Sequence, residues 1–277
     1  MKIGFFDSGI GGISVLTEAV GRIPDQEWLF DADTDHVPYG EKTTAEIAHY
    51  ATDNARFLLS EGAEAIVVAC NTATAAAIRI LREMTQVPVI GMEPAVKPAV
   101  ELLETAGKKK RILVTATPVT LREAKLKDLI GRVDPEHRVD LLPLPGLVTL
   151  AESGHFDTDD ARRYLTDALS DVKAEDYSAL VLGCTHFIYF LPLFREILGP
   201  EVHLIDGNTG TVRRLADVCG LPMRPDPSSE GGRADDRPQE RASIVWYQSG
   251  RRVTDAEALA FYGRLQDRII RIRNTEG

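Results

Sequence analysis

The sequence predicts an α/β protein with two pseudo-symmetric Rossmann-like domains, mostly parallel sheets and a ligand cleft between the domains. Strand-like apolar runs alternate with helix-length segments along almost the whole chain, and this βαβ order is typical of parallel sheets covered by helices on both faces. Two of the runs, ending at Cys70 and Cys184, are near copies of each other. We therefore expect two equivalent sheets, with the cleft at the carboxyl ends of their strands.

Short apolar runs that end in turn residues predict the strands. They cover residues 3–6, 28–31, 65–70, 87–92, 111–116, 139–144, 179–184, 203–206 and 243–248. Helices are predicted between them, for example at 43–59, 72–84 and 159–172. The last helix is expected to begin with a capping box of Thr254 and Glu257 and to pack an apolar stripe on the first domain.

The repeated strands also predict how the chain divides. Residues 1–97 plus 208–277 would form the first domain, with Asp7 and Cys70, and residues 98–207 the second, with Cys184 and His186. The chain would cross between domains at 96–98 and 206–208, and its tail would return to the first domain. Residues 221–242 are rich in Pro, Asp, Ser, Gly and Arg, which predicts a long surface loop.

Composition narrows the functional classes. The net charge of −10 argues against a nucleic-acid partner, because such proteins usually carry a basic face. No apolar run is long enough for a membrane span, and the first strand leaves no room for a secretion signal, so we expect a cytoplasmic protein. Three cysteines are too few for a disulfide scaffold, and Cys219 is interpreted as a small buried hydrophobe.

Three loops without cysteine could bind a ligand. In Asp7-Ser8-Gly9-Ile10-Gly11-Gly12 the glycines let backbone N–H groups approach an anion at a helix start. The loop fails as a dinucleotide motif, because Ser14 stands where the third glycine belongs. The other two are Pro38-Tyr39-Gly40 and the segment from Thr117 to Thr120. Without any ligand, Pro38-Tyr39-Gly40 is also explained as a tight turn, and the threonines are also explained as helix caps.

The cysteine turns, Cys70-Asn71-Thr72 and Cys184-Thr185-His186, each place a thiol at a helix start, where the macrodipole favours a thiolate. Four chemistries remain open: a zinc site that includes Asp7, a redox pair, a nucleophilic Cys–His pair, and acid–base chemistry at a carbon. Inversion of a stereocentre needs one group on each face, and near-symmetric half-sites would supply them. A thiol suits both roles because its reference pKa is about 8.5.

Together these motifs resemble those of the glutamate racemases, the cofactor-independent Asp/Glu racemase family of bacteria. The matching stretches are Phe6-Asp7-Ser8-Gly9-Ile10-Gly11-Gly12, Pro38-Tyr39-Gly40, Val68-Ala69-Cys70-Asn71-Thr72-Ala73, Thr117 with Thr120, and Leu182-Gly183-Cys184-Thr185-His186. The resemblance implies that Cys70 and Cys184 are the acid/base thiols, assisted by Asp7 and His186 respectively. It also implies a glutamate near the histidine, matched here by Glu152. The substrate pocket would comprise Ser8, Pro38, Tyr39, Gly40, Asn71, Thr72, Thr117, Thr120 and Thr185.

The resemblance further implies interconversion of L- and D-glutamate without metal or cofactor, a homodimer, and supply of D-glutamate for peptidoglycan. None of the matched motifs contains the lysine that pyridoxal chemistry requires. The substrate's carboxylates would therefore meet hydroxyls, Asn71 and backbone N–H groups at helix starts. Two alternatives remain: a racemase of aspartate or another acidic amino acid on the same scaffold, and a binding protein for an acidic ligand that has lost turnover.

Overall fold

The computed structural model describes residues 1–106, 110–225 and 243–276. Its strands, numbered along the chain, are β1 (Lys2–Asp7), β2 (Glu27–Ala32), β3 (Ala65–Val68), β4 (Val89–Gly91), β5 (Arg111–Ala116), β6 (Val139–Pro143), β7 (Tyr177–Leu182), β8 (His203–Asp206), β9 (Ile244–Gln248) and β10 (Arg251–Arg252). Its helices are α1 (Ile13–Arg22), α2 (Thr44–Ser60), α3 (Asn71–Met84), α4 (Val96–Ala106), α5 (Pro118–Arg122), α6 (Ala124–Val133), α7 (Gly146–Glu152), α8 (Asp159–Ala168), α9 (Leu191–Leu198), α10 (Asn208–Cys219) and α11 (Ala256–Glu276). Short 3-10 helices cover Ile10–Gly12, Tyr39–Glu41, Ala174–Asp176 and Thr185–Phe190.

The strands form two sheets, and the predicted α/β class is confirmed. The first sheet has the order β10-β9-β2-β1-β3-β4, and the second has the order β6-β5-β7-β8. Neighbouring strands run parallel except for β10, which pairs antiparallel with β9. The strand carrying Asp7 lies between β2 and β3, and β7, which leads to Cys184, lies between β5 and β8. The domain boundaries stay a prediction.

Helices bury both faces of each sheet, because successive side chains of a strand point to opposite faces. Phe5 of β1 packs in an apolar cluster with α1 and α11, whereas Phe6 packs with α2 and α3. In the second sheet, Leu180 packs with α8 and α9, and Val181 packs with α4 and α6. Phe5 and Leu180 belong to one continuous cluster, so the two sheets share a core.

The last helix connects the two sheets. Its apolar residues pack against α1, and it also contacts the 3-10 helix after Cys184. Arg268 of α11 donates to the backbone oxygen of Tyr189 at 2.8 Å and pairs with both carboxylate oxygens of Asp157. The same guanidinium lies over the ring of Phe156. The helix therefore packs on the first sheet, as predicted, and also anchors the chain that follows the second cysteine.

Several local predictions were wrong in detail. The last helix begins at Ala256, and its cap is Asp255, which accepts the N–H of Ala258 at 2.9 Å. The capping box predicted for Thr254 and Glu257 is therefore one residue out of phase. The helix predicted over 159–172 ends at Ala168. Cys219 is only partly buried, because it lies in the last turn of α10.

Residues 226–242 of the predicted 221–242 loop lie outside the described residues. Within the described ranges, no helix is both long and apolar enough to cross a membrane.

Gly183 gives a direct test of the packing between β5 and β7. Its N–H donates to the backbone oxygen of Thr115 at 2.7 Å, and an added Cβ would lie 2.7 Å from that same oxygen. We expect Gly183→Ala to lower the free energy of unfolding by about 1–3 kcal/mol, since the strands would have to separate. Urea unfolding followed by circular dichroism measures the change.

The matched control is Gly131→Ala. Gly131 lies within α6, and an added Cβ would meet nothing within 4 Å. This substitution should raise the free energy of unfolding by about 0.5–1 kcal/mol, because alanine is the better helix former. A Gly183→Ala protein as stable as the unmodified chain would contradict the described packing.

Candidate active site

The two cysteines cap the segments that follow central strands of the two sheets. Cys70 caps α3, where its Sγ accepts the N–H of Ala73 at 3.4 Å. Cys184 precedes the 3-10 helix Thr185–Phe190, which leads into α9. The predicted strand 65–70 ends at Val68, so Cys70 belongs to the turn rather than to the strand. Both thiols therefore lie at the carboxyl ends of their sheets, as the sequence predicts.

The loop after β1 packs directly against the turn that carries Cys184. The Thr185 hydroxyl donates to Asp7 Oδ2 at 3.0 Å, although the two residues belong to different sheets. An added Cβ on Gly11 would lie 2.4 Å from Thr185 Oγ1 and 2.5 Å from His186 Nδ1. Only glycine allows this close approach. Ser8 links Cys70 to the same Asp7 carboxylate, since Cys70 Sγ donates to Ser8 Oγ and Ser8 Oγ donates to Asp7 Oδ1, so the two cysteine turns are joined through Asp7.

Burial dominates the electrostatics around Cys70. Its Sγ donates to Ser8 Oγ at 3.8 Å, and Ser8 in turn donates to Asp7 Oδ1 at 3.3 Å. Burial, followed by the negative charge of Asp7, raises the pKa of Cys70 to about 12. Burial also raises the pKa of Asp7 above its usual range. The helix N-terminus was expected to favour a thiolate here, but desolvation outweighs it and Cys70 rests as a thiol.

Cys184 instead lies beside a histidine that is held by a glutamate. Its Sγ lies 3.7 Å from His186 Nδ1, and His186 Nε2 lies 2.6 Å from Glu152 Oε1. Burial alone would lower the pKa of His186, but its hydrogen bonds to Cys184 and Glu152 raise that pKa well above the usual value. Glu152 Oε1 also accepts the N–H of Ile10 at 2.8 Å. Glu152 therefore joins the histidine to the first-sheet loop.

Threonine hydroxyls from both sheets meet beside Cys70. The Oγ1 atom of Thr72 lies 3.0 Å from that of Thr117 and 3.1 Å from that of Thr120, and the last two are 3.1 Å apart. All three side chains are buried. The adjacent Asn71 is also buried, and neither of its side-chain polar atoms has a hydrogen-bond partner within the described residues. Buried amides are normally hydrogen-bonded, so Asn71 is suited to hold a ligand.

The turn Pro38-Tyr39-Gly40 packs beside these threonines. An added Cβ on Gly40 would lie 2.9 Å from the Cβ of Thr117, so the turn touches the second sheet's half of the site. Tyr39 is almost fully buried, and its hydroxyl donates to Asp33 Oδ2 at 2.5 Å. The sequence analysis did not identify Asp33. Its signal is an acidic residue directly after β2, at the same sheet edge as Asp7.

The zinc site, the redox pair and the nucleophilic Cys–His pair can each be compared with the geometry. Among the described residues, no group of three or more His, Cys, Asp or Glu side chains could hold a metal ion, so a zinc site has no ligand set there. The three cysteines are free thiols. The spacing between Cys184 and His186 is compatible with a nucleophilic pair as well as with acid–base chemistry.

Comparisons with known proteins agree with the resemblance. The model of the Asp/Glu/Hydantoin racemase family matches residues 18–215. A glutamate racemase from Halothermothrix orenii is 46% identical over 91% of this chain and 94% of its own, and one from Campylobacter curvus is 46% identical over 97% of each. The crystal structure of Escherichia coli glutamate racemase in complex with L-glutamate and activator UDP-MurNAc-ala superposes with a TM-score of 0.77 at 26% identity. That alignment covers 96% of this chain and 94% of the other.

The described electrostatics predict how Cys70 responds to a change at Asp7. Because the Asp7 charge disfavours the Cys70 thiolate, Asp7→Asn should lower the pKa of Cys70 below about 12. Only the thiolate is alkylated efficiently, so Cys70 should react several-fold faster with iodoacetamide at each pH between about 7 and 9.5. Peptide mass spectrometry would quantify alkylation at Cys70 alone.

Asp53→Asn is the matched control, since Asp53 is an exposed carboxylate on α2. It should leave the alkylation rate of Cys70 unchanged. An equal rate in the Asp7→Asn and unmodified proteins would show that Asp7 does not control this thiol.

Proposed function

The chain belongs to the Asp/Glu/Hydantoin racemase family, and we propose that it is a glutamate racemase that inverts Cα by proton transfer between two cysteines. One observation carries this proposal. Thiols follow strands of both sheets, Cys70 is linked through Ser8 to Asp7, and the Thr185–Asp7 hydrogen bond joins the two cysteine turns. Inversion requires an acid and a base on opposite faces of the carbon, and this arrangement supplies two candidate groups.

The two thiols differ in a way that suits a proton-transfer pair. Cys70 rests protonated, because burial and Asp7 disfavour its anion. Cys184 Sγ lies 3.7 Å from His186 Nδ1, and although burial lowers the pKa of His186, its hydrogen bonds to Cys184 and Glu152 raise that pKa, so this imidazole is suited to exchange a proton with the sulfur. In this proposal a Cys184 thiolate removes the α-proton of one enantiomer, and Cys70 delivers a proton to the opposite face. The reverse reaction starts with the proton on Cys184 and the negative charge on Cys70.

Neutral donors would bind the substrate's two carboxylates. The hydroxyl groups of Thr72, Thr117 and Thr120, here called the hydroxyl triangle, can rotate to donate hydrogen bonds to an anion. The unpartnered amide of Asn71 and backbone N–H groups at helix starts offer more. In a cleft closed to water these contacts are strong, and they would stabilise the negative charge that develops at Cα. Ser8 and Thr185 would complete the polar lining. We propose that no cofactor takes part.

The choice of glutamate rests on relatives. Proteins named glutamate racemase are 46% identical to this chain over more than nine-tenths of its length, and the E. coli structure contains L-glutamate. A racemase of aspartate or another acidic amino acid is the second candidate, because the hydroxyl triangle would also accept a carboxylate of a shorter diacid. The spacing of Cys184 and His186 keeps an acyl-transfer enzyme as a third.

The biological setting follows from the same resemblance. We propose that the product D-glutamate is used in peptidoglycan synthesis, that the protein acts in the cytoplasm, and that it works as a homodimer. We also propose that residues 1–97 with 208–277, and residues 98–207, are separate domains. The two sheets support this division, since the first draws its strands from residues 2–91 and 244–252 and the second from 111–206.

Removing either sulfur should abolish racemisation. We expect Cys70→Ser and Cys184→Ser each to lower kcat at least about 10³-fold in both directions, because a serine hydroxyl is a far weaker acid and base than a thiol. Circular dichroism of L- and D-glutamate solutions would follow the optical change. Cys219→Ser is the matched control, since Cys219 lies partly exposed on α10, and it should keep near-normal activity.

A second prediction separates turnover from binding. In deuterated water, both enantiomers of glutamate should exchange their α-hydrogen for deuterium, which proton NMR detects directly. Binding without exchange would favour a silent ligand-binding protein. Exchange and inversion of aspartate, with glutamate inert, would replace the proposed substrate, while ester or amide hydrolysis by the same protein would favour the nucleophilic alternative.

A further inference from the structure

Asp33 lies at the sheet edge that also carries Asp7. Strand β2 ends at Ala32, which pairs with Asp7 of β1. The next residue continues this pairing, since the N–H of Asp33 donates to the backbone oxygen of Asp7 at 3.0 Å. Asp33 is only 2% exposed. A buried carboxylate is costly unless its oxygens are hydrogen-bonded, so the partners of Asp33 define what it does.

Donors from three parts of the first sheet's layer meet at the Asp33 carboxylate. Oδ2 accepts the Tyr39 hydroxyl at 2.5 Å and the Asn54 amide at 3.3 Å. Oδ1 accepts the Ser249 hydroxyl at 3.1 Å and lies 2.7 Å from His36 Nδ1. Asn54 belongs to α2, and Ser249 lies in the turn between β9 and β10. The carboxylate therefore ties the loop after β2 to a helix and to a hairpin.

Burial and the hydrogen bond to Asp33 both favour the protonated form of the Tyr39 phenol. Burial, followed by the charge of Asp33 and its hydrogen bond, raises the pKa of Tyr39 well above its ordinary value. Tyr39 packs in the same apolar cluster as Cys70. The phenol donates its proton to Asp33, and its oxygen accepts the Asn54 amide at 3.4 Å.

A continuous set of contacts leads from Asp33 to the other sheet. Tyr39 is followed by Gly40, and Gly40 lies against Thr117 too closely for any side chain. Thr117 belongs to the hydroxyl triangle with Thr72. Movement of the Tyr39 ring would therefore shift the turn that touches this triangle. The Asp33 side chain bonds to Tyr39 rather than to a group of the reacting site, so its influence on the site would pass through Tyr39.

We propose that Asp33 is a positioning residue for racemisation, which anchors the Tyr39 phenol and so holds the 38–40 turn against Thr117 in the arrangement that the acidic substrate requires. The inference rests on the proposed function, because it concerns the same site. It adds a residue that touches no reacting atom and that acts through one identified hydrogen bond.

A double-mutant cycle tests this coupling. Asp33→Ala and Tyr39→Phe should each lower kcat/KM for glutamate about 10- to 100-fold, mainly by raising KM, since small displacements of a binding turn are costly. The double variant should be no worse than the poorer single variant, because both substitutions remove the same hydrogen bond. Asp33→Asn keeps an acceptor oxygen and should restore part of the lost kcat/KM.

The matched control is Asp35→Asn. Asp35 lies two residues further along the same loop and pairs with Arg251 at 2.7 Å on the exposed surface. Its substitution should leave kcat/KM within about twofold of the unmodified protein. Thermal unfolding of every variant would show whether a lost rate reflects lost structure.

A spectroscopic readout keeps the inference testable if Asp33→Ala does not fold. With tyrosine labelled by ¹³C at Cζ, the Tyr39 resonance is the one missing in Tyr39→Phe. Asp33→Asn should shift this resonance, whereas Asp35→Asn should not. Multiplicative losses in the cycle, or an unmoved Tyr39 resonance, would overturn the inference while leaving the racemase proposal intact. An unmodified protein that does not racemise glutamate would instead overturn the proposed function.

Discussion

The contact between the 7–12 loop of the first sheet and the 184–186 turn of the second is the constraint on which the site depends. Each sheet alone supplies one thiol at a strand end. The Thr185–Asp7 hydrogen bond and the bridge from Glu152 to the Ile10 N–H join the two halves. The absence of a side chain at Gly11 lets them approach. Arg268 of the last helix anchors the chain just beyond this turn, so elements from both ends of the sequence support the same contact.

Different polar neighbours make the two half-sites chemically different, although both thiols are buried. Around Cys70, desolvation and a neighbouring carboxylate favour the neutral thiol. Beside Cys184, Glu152 holds a histidine whose pKa is lowered by burial but raised more by its hydrogen bonds to Cys184 and Glu152. The hydroxyl and amide groups that line the rest of the site carry no net charge. A dianionic ligand there would meet dipoles that are already oriented, which stabilise developing charge with little reorganisation.

The sequence predicted what depends on local pattern. Apolar runs ending at Cys70 and Cys184 correctly placed both thiols at strand ends, and the alternation of strands and helices predicted parallel sheets. Asp33 was missed because its role depends on Asn54 and Ser249, which are distant in the chain and meet it only in the folded sheet. The sequence also could not weigh the helix N-terminus against burial at Cys70, since burial depends on tertiary packing and, with the charge of Asp7, raises the pKa of this thiol to about 12. The cap of the last helix was misplaced by one residue because Thr254 and Asp255 are both good capping residues.

We propose that the two sulfurs lie on opposite faces of one bound carbon. A crystal structure of the protein with D-glutamate measures this directly. We expect each Sγ within about 4 Å of the substrate's Cα, which is van der Waals contact, with one sulfur on either side of that carbon and the carboxylates on Asn71 and the threonine hydroxyls. Both sulfurs on the same face, or either one out of contact with the ligand, would contradict the account.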